Sequence, residues 1–319
     1  MSSDNQMRVL ITGATGFVGK HVIRALLELK DVEVIATTHR AKMTGNPNDR
    51  LVALDVTDAE QTSAVIKAEQ PTHLIHLAGV AGLADANRDA RKTWEVNAQG
   101  ALHVAFAIQQ GAPRCRLLFC SSALVYGGSF CSGKPLSEDA PIDPLNLYAA
   151  SKAAPDLFIG QMAKEGLLAI RMRPFNHTGP GQGLDFVVPS FAAQIAAIER
   201  GEQESVIKVG NLTVRRDFLD VRDVVDAYMR AIVRFDSLPN GAVFNIASGI
   251  ATSVGEVLKS LIAMSCKKID VVFDPARMRS DDVAVVVGDA NAARKALHWA
   301  PKYAIADTLN DVLTYYRKV

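Results

Sequence analysis

The chain has no long apolar run: nothing approaches the ~18 residues that a membrane-crossing helix requires. It also lacks an excess of charge of either sign. A net charge of +1 gives no argument for a nucleic acid, a membrane surface or a polyanion as partner. Cysteine is scarce. Cys115, Cys120, Cys131 and Cys266 show no Cys-x-x-Cys spacing, which favours buried free thiols over disulfides or zinc, and no metal site is read. The first residues lack the basic and apolar regions of a signal peptide, so a cytoplasmic location is expected. With 319 residues, 49% hydrophobic and 22% charged, the chain can bury a sizeable core in one large α/β domain or in up to two domains.

What is present starts at residues 8–19. Residues 8–12 are an apolar, β-branched run that reads as a buried strand. Gly13, Gly16 and Gly19 follow at intervals of three, and Val22, Ile23, Leu26 and Leu27 continue with helical spacing. Strand, glycine turn and helix in succession make an anion site. Backbone N–H groups at the helix start face a phosphate, and the helix dipole favours its charge. The three glycines allow a tight turn, close approach to a pyrophosphate and close packing of helix on strand. The spacing is wider than the general Gly-x-Gly-x-x-Gly fingerprint. Glycines also simply end strands, but this placement selects dinucleotide binding, with Gly13, Thr15, Gly16, Phe17 and Val18 as the cradle.

Residues 32–38 read as a second strand, whose end identifies the dinucleotide. An acid there bonds the 2′-hydroxyl of NAD, and an arginine accommodates the 2′-phosphate of NADP. Here Thr37, Thr38, His39 and Arg40 stand without a carboxylate, and Glu33 comes too early. NADP(H) is expected, with Arg40 on the phosphate or else a solvated surface charge; NAD(H) stays open as a second cofactor. Residues 51–56 form a third strand that brings Asp55 and Val56 to the adenine end. Thr57 to Glu60 reads as a capping box. Residues 73–79 form a fourth strand running into a second small-residue turn, Leu77, Ala78 and Gly79, with His73 and His76 as satisfied core histidines. Residues 94–109 are an amphipathic helix with Asn97 near its start, and residues 116–122 are a fifth strand. Strands alternating with helices at this rhythm predict a doubly wound parallel sheet.

Residues 129–146 are long and polar enough for a functional loop. They deliver the chain to Tyr148 and Lys152, four apart on one helix face. Pro155 should kink that helix or remove a hydrogen bond. Residues 167–173 are a sixth strand closed by Pro174. Beyond Phe175 the texture changes: a glycine-rich irregular loop at 176–183, a helix at 186–200, and short strands at 206–209 and 214–219. A helix at 221–234, a strand at 243–247 that rejoins the main sheet, and a small α+β remainder complete the chain.

Ser122, Tyr148 and Lys152 supply what reduction of a ketone needs besides a hydride. The phenol gives a proton, an ammonium nearby lowers its pKa, and the serine stabilises charge on the oxygen. Thr-Gly-x-x-Gly-x-x-Gly, His-Leu-Ala-Gly, Ser-Ser-x-x-Val-Tyr-Gly and Tyr-x-x-x-Lys stand in one order along nearly the whole chain. In this the sequence resembles the extended short-chain dehydrogenase/reductase family, in its nucleotide-sugar branch. The resemblance implies a Rossmann-type α/β fold with a smaller α+β C-terminal substrate lobe. Its cofactor domain would span residues 7–174 and be rejoined by about 217–247; residues 175–216 and 248–319 would form the nucleotide-sugar lobe. It further implies that Ser122, Tyr148 and Lys152 are catalytic, that Lys152 also holds the nicotinamide ribose, and that Asn97 supports the site.

The branch narrows by side-chain chemistry. Sugar-nucleotide 4,6-dehydratases carry a carboxylate one or two residues after the site serine or threonine; Ala123 and Leu124 cannot move a proton. The segments around Asn176, Phe186, Val209, Arg216 and Arg279 resemble reductases of GDP-linked 6-deoxy-4-keto sugars, the enzymes that make GDP-D-rhamnose. By that resemblance Asn176, Arg216 and Arg279 meet the diphosphate, and Val187 lines the base and sugar pocket. Ser122 and Ala123 face the reacting sugar. The expected activity is NADPH-dependent 4-ketoreduction by a homodimer. A 4-epimerase that retains NAD is the enzymatic alternative, and a silent dinucleotide-binding sensor the non-enzymatic one.

Overall fold

The apolar run at the N-terminus becomes the centre of a seven-stranded sheet. Val9, Leu10 and Ile11 of β1 (Met7–Thr12) are all fully buried. Consecutive residues feed opposite layers: Val9 and Ile11 pack on one face, Leu10 on the other. That is why the strand is continuously apolar rather than alternating. Each such side chain stabilises the fold by about 1.5–3 kcal/mol. This computed structural model describes residues 6–39, 50–277 and 283–319. Arg40 and Arg279 lie outside the described residues.

After β1 come α1 (Phe17–Leu27), β2 (Val32–Thr38), β3 (Arg50–Ala53), α2 (Ala59–Glu69) and β4 (His73–His76). They are followed by α3 (Leu83–Arg88), α4 (Ala90–Trp94), a π-helical turn over Glu95–Gln99, α5 (Gly100–Gly111) and β5 (Arg116–Cys120). A 3₁₀ segment over Ala123–Ser132, broken at Gly127, leads to α6 (Leu147–Lys164) and β6 (Ala169–Pro174). The second half contains β7 (Asn176–Thr178), α7 (Val187–Arg200), β8 (Val206–Val209), β9 (Arg215–Asp220) and α8 (Val221–Val233). It continues with β10 (Val243–Ile246), β11 (Ala251–Ser253), α9 (Val254–Ala263), β12 (Asp270–Phe273), β13 (Val285–Val286), α10 (Asn291–Leu297) and α11 (Ile305–Lys318).

The main sheet runs β10-β6-β5-β4-β1-β2-β3, with every pair parallel. This is the doubly wound Rossmann-type order with one strand added. Its switch point falls between β1 and β4, where such sheets open a ligand crevice beyond the strand ends. One face is covered by α1 and α8, the other by α2, α5 and α6. A third core, under α7, α9 and α11, belongs to the second half. β9 is the hub there, pairing with β7, β11 and β13. The return to the main layers thus begins at α8, because residues 217–220 belong to the small sheet.

Several local expectations change. Asp58, not Thr57, caps α2, its Oδ1 accepting from Gln61 N at 2.9 Å. The Thr57 hydroxyl is engaged elsewhere, donating to Asp55 Oδ1 at 2.7 Å. The 94–109 helix contains the π-helical turn. Residues 176–178 are a strand rather than irregular loop, because β9 offers them a parallel partner. α6 continues through Pro155 as one element. His73 Nδ1 pairs with Thr72 and His76 Nδ1 with Thr12, but His76 Nε2 is buried without a partner, so His76 is only half satisfied.

Candidate active site

The site is built on the C-terminal ends of adjacent strands. After β1 the chain turns at Gly13, in the left-handed region (φ 70°), where a Cβ would meet Ala78 N at 2.7 Å. The turns after β1 and β4 therefore touch, and Ala78 N donates to Thr12 Oγ1 at 3.2 Å. A Cβ on Gly19 would meet the Gly13 and Ala14 carbonyl oxygens at 2.5 Å, so only glycine lets α1 lie this close to the turn. Gly16 caps α1 with no side-chain bond, and the first-turn N–H groups of a helix have no acceptor of their own. Thr15 precedes this cap, and Phe17 and Val18 are the first residues of the helix. A cradle that a side chain would fill, ending on open N–H groups, fits a dinucleotide diphosphate.

At the neighbouring strand ends, Thr37 is buried and donates to the Ile11 carbonyl. Glu33 pairs with Arg8 at 3.1 Å, near the start of the strand rather than at the crevice. Asp55 is exposed beyond β3, held below the usual carboxylate range by hydrogen bonds from the Thr57 N–H and hydroxyl. Val56 beside it is buried, with its carbonyl on His103 Nδ1 at 2.9 Å.

Ser122 ends the segment after β5 and caps the 3₁₀ turn, its Oγ accepting from Leu124 N at 3.2 Å. Asn146 opens α6, accepting from Ala149 N at 2.9 Å, and fixes the helix start two residues ahead of Tyr148. The Ser122 side chain is the hydrogen-bonding neighbour that acts on the Tyr148 phenol. Burial raises the Tyr148 pKa above its ordinary 10, and the Ser122 bond draws it back only in part. Lys152 does not supply the expected lowering. Its Nζ donates to the Cys120 carbonyl at 2.6 Å and lies over the Phe119 ring at 5.4 Å. Burial lowers its own pKa, opposed by Cys120 and Asp156. Ser122, Tyr148 and Lys152 are thus gathered at one strand end, and the ammonium is engaged by backbone.

Sequence reasoning missed the framework behind them. Asp156, one turn beyond Lys152, is fully buried. It accepts from Arg173 Nε at 2.9 Å and from a terminal Arg173 nitrogen at 2.7 Å. Arg171 adds a third contact at 3.0 Å. Burial alone would raise the Asp156 pKa; the two guanidinium groups reverse that and hold it low. Arg173 also donates to Tyr126 Oη, which donates to Asn245 Oδ1 at 2.7 Å. Asn245 Nδ2 then reaches the Leu136 and Asp289 carbonyls. Only the Tyr-x-x-x-Lys-x-x-x-Asp spacing hinted at this.

On the second-half side, β6 ends at Pro174 and β7 begins at Asn176, so Asn176 emerges at the same sheet edge. Asn176 pairs with Phe218 of β9, two residues beyond Arg216, and the period of a strand puts Arg216 and Phe218 on one face. Arg216 donates to the Val283 carbonyl at 2.7 Å. Val187 is the first residue of α7, and Ala123 is buried beside Ser122.

The family described as NAD dependent epimerase/dehydratase matches residues 9–247. The chain is 33% identical over 310 residues to GDP-6-deoxy-D-mannose reductase of Pseudomonas aeruginosa, covering 96% of each chain. The solved structure of RMD from Pseudomonas aeruginosa complexed with NADPH superposes with a TM-score of 0.86 at 31% identity, covering 98% of this chain and 99% of that one. Thermus thermophilus UDP-glucose 4-epimerase in complex with NAD gives 0.84 at 26% identity, with the same coverage. The chain belongs to the NAD dependent epimerase/dehydratase family, the extended short-chain dehydrogenase/reductases that the motifs resemble. At that level it is an enzyme of NAD(P)-dependent nucleotide-sugar chemistry.

Proposed function

We propose that this enzyme reduces the 4-keto group of a GDP-linked 6-deoxyhexulose with NADPH, forming GDP-D-rhamnose. The observation that carries the reading is the Tyr148–Ser122 hydroxyl pair at the end of β5, followed by Ala123 and Leu124 rather than an acid. The likeness to a GDP-sugar reductase over 96% of both chains supports the sugar and its base.

When bound, the reduced nicotinamide supplies the hydride to C4. The glycine cradle at Gly13 and Gly16 holds the diphosphate, Asp55 and Val56 the adenine end, and Leu77 to Gly79 the middle. Tyr148, kept protonated by its raised pKa, gives its proton to the ketone oxygen as that oxygen gains charge. Ser122 hydrogen-bonds the same oxygen. Lys152 holds the nicotinamide ribose, its ammonium anchored by the Cys120 carbonyl. Arg216, Asn176 and Arg279 hold the sugar diphosphate, a task suited to guanidinium groups. Arg40 and the missing acid after β2 favour NADPH, with NADH as a weaker substitute. A homodimer in the cytoplasm belongs to the same proposal. Trp94, Phe106 and Leu157 expose 43%, 41% and 57% of their surface on α4, α5 and α6, an apolar face that a second copy would cover. Among the described residues no helix is long and apolar enough to cross a membrane.

Thermal shift tests the substrate assignment. A ligand that binds only the folded state stabilises it by RT ln(1 + [L]/Kd), about 2.7 kcal/mol at a hundred times Kd. GDP-mannose should raise Tm more than UDP-glucose at equal concentration, and Arg216→Ala should shrink that rise while NADPH still protects. A larger rise with UDP-glucose would favour the epimerase and overturn the GDP assignment.

A further inference from the structure

Asn97 and Ser151 form a buried link that the proposed chemistry does not use. Asn97 lies in the π-helical turn, a departure from α geometry that often marks functional positions. Its amide is engaged on both sides: Oδ1 accepts from Val80 N at 2.8 Å, and Nδ2 donates to the Val80 carbonyl at 3.1 Å and to Ser151 Oγ at 2.9 Å. Ser151 Oγ in turn donates to the Tyr148 carbonyl at 2.7 Å. Both side chains are about 1% exposed. Val80 closes the turn that starts at Leu77 and abuts Gly13. A Cβ on Gly79 would sit 3.0 Å from Asn97 Oδ1, so that turn and the amide are in contact.

The regular ladder of α6 is weakened at the same place. Pro155 has no N–H to give to the Ser151 carbonyl four residues earlier. The early turns of the helix therefore depend more on side-chain bonds.

We infer that Ser151 is a positioning residue: through Asn97 it fastens the Tyr148 backbone to the dinucleotide-side turn at Gly79 and Val80. Its kinetic consequence rests on the ketoreductase reading; its structural consequence does not. Without the Ser151 hydroxyl, Asn97 Nδ2 loses one of two acceptors and the Tyr148 carbonyl loses its lateral tether. The phenol then drifts from Ser122 while its binding neighbours remain.

Ser151→Ala should lower kcat by roughly ten-fold, within the cost of a small misplacement of a reacting group. KM for the sugar and NADPH affinity should stay close to those of the wild type, while the buried Asn97 donor left without its acceptor lowers Tm by a few degrees. Ser151→Thr keeps a hydroxyl able to bond a carbonyl one turn back and should restore kcat. An unchanged kcat in Ser151→Ala, or a loss that threonine does not recover, overturns the proposal. An ultraviolet titration of the Tyr148 phenol, identified by subtraction of Tyr148→Phe, needs no sugar. It should move in Ser151→Ala and return in Ser151→Thr, and an unmoved titration overturns the proposal as well. If the wild type reduces no GDP-linked ketone yet the titration behaves as described, the substrate reading fails and the positioning role stands.

Discussion

The seven-stranded sheet and the small sheet around β9 are assembled differently. In the first, all neighbours are parallel, and candidate residues follow within a few positions of a strand end: Gly13 after β1, Leu77 after β4, Ser122 after β5. In the second, β9 collects partners from 176–178, 251–253 and 285–286. The bond that orients Arg216 spans 67 residues, from its guanidinium to the Val283 carbonyl. A site built beside strand ends is written locally, whereas one built on a hub strand exists only once distant segments have paired.

The largest effect should come where the two regions meet. The chain Asp156–Arg173–Tyr126–Asn245 runs from α6 to Asp289 beyond β13. Removing one partner of a buried ion pair leaves an uncompensated charge, about 3–5 kcal/mol. Asp156→Ala should therefore lower stability by that amount while calorimetry still shows one transition. Two separated transitions already in the wild type would mean that the regions unfold independently and that this chain does not join them.

A smaller effect comes from pH. His73 and His76, both in the main sheet, are held neutral by burial, at about 4 and about 3 against an ordinary 6.5. Because the folded pKa is the lower one, the unfolded chain takes up protons first. Stability is complete above 6.5 and declines as pH falls toward 4 and 3, by up to about 1.4 kcal/mol per pH unit for each histidine. His21 and His177, also lowered by burial, add to the same slope. Denaturant midpoints between pH 7 and 5 should fall with acid, and less steeply in His73→Gln. A flat profile would contradict the assignment.

Much of the main sheet was legible because its signals are short-range: apolar runs, glycines at fixed intervals, proline closing β6. The 3.0 Å contact of Arg171 with Asp156 was not, since the four-residue spacing sets the helix face of Asp156 but does not name its partner on β6. Lys152 shows a finer limit. The four-residue spacing correctly shares a helix face with Tyr148, yet the Cys120 carbonyl captures the ammonium, and the phenol pKa rises instead of falling. The π-helical turn at Asn97 left no trace in an amphipathic pattern, and strand β7 appeared only through its pairing with β9.

The central claim is that Tyr148 and a bound NADPH together reduce C4 of a GDP-linked sugar. Incubation with NADPH carrying deuterium at the transferred position, followed by mass spectrometry of the nucleotide sugar, tests it directly. The expected product is a GDP-6-deoxyhexose with deuterium at C4, one NADPH consumed per sugar, and roughly 10²-fold slower formation in Tyr148→Phe, as expected for a positioned acid. Formation of a C4 epimer from UDP-glucose with no net cofactor consumed, alongside an unreacted GDP-linked ketone, would contradict it.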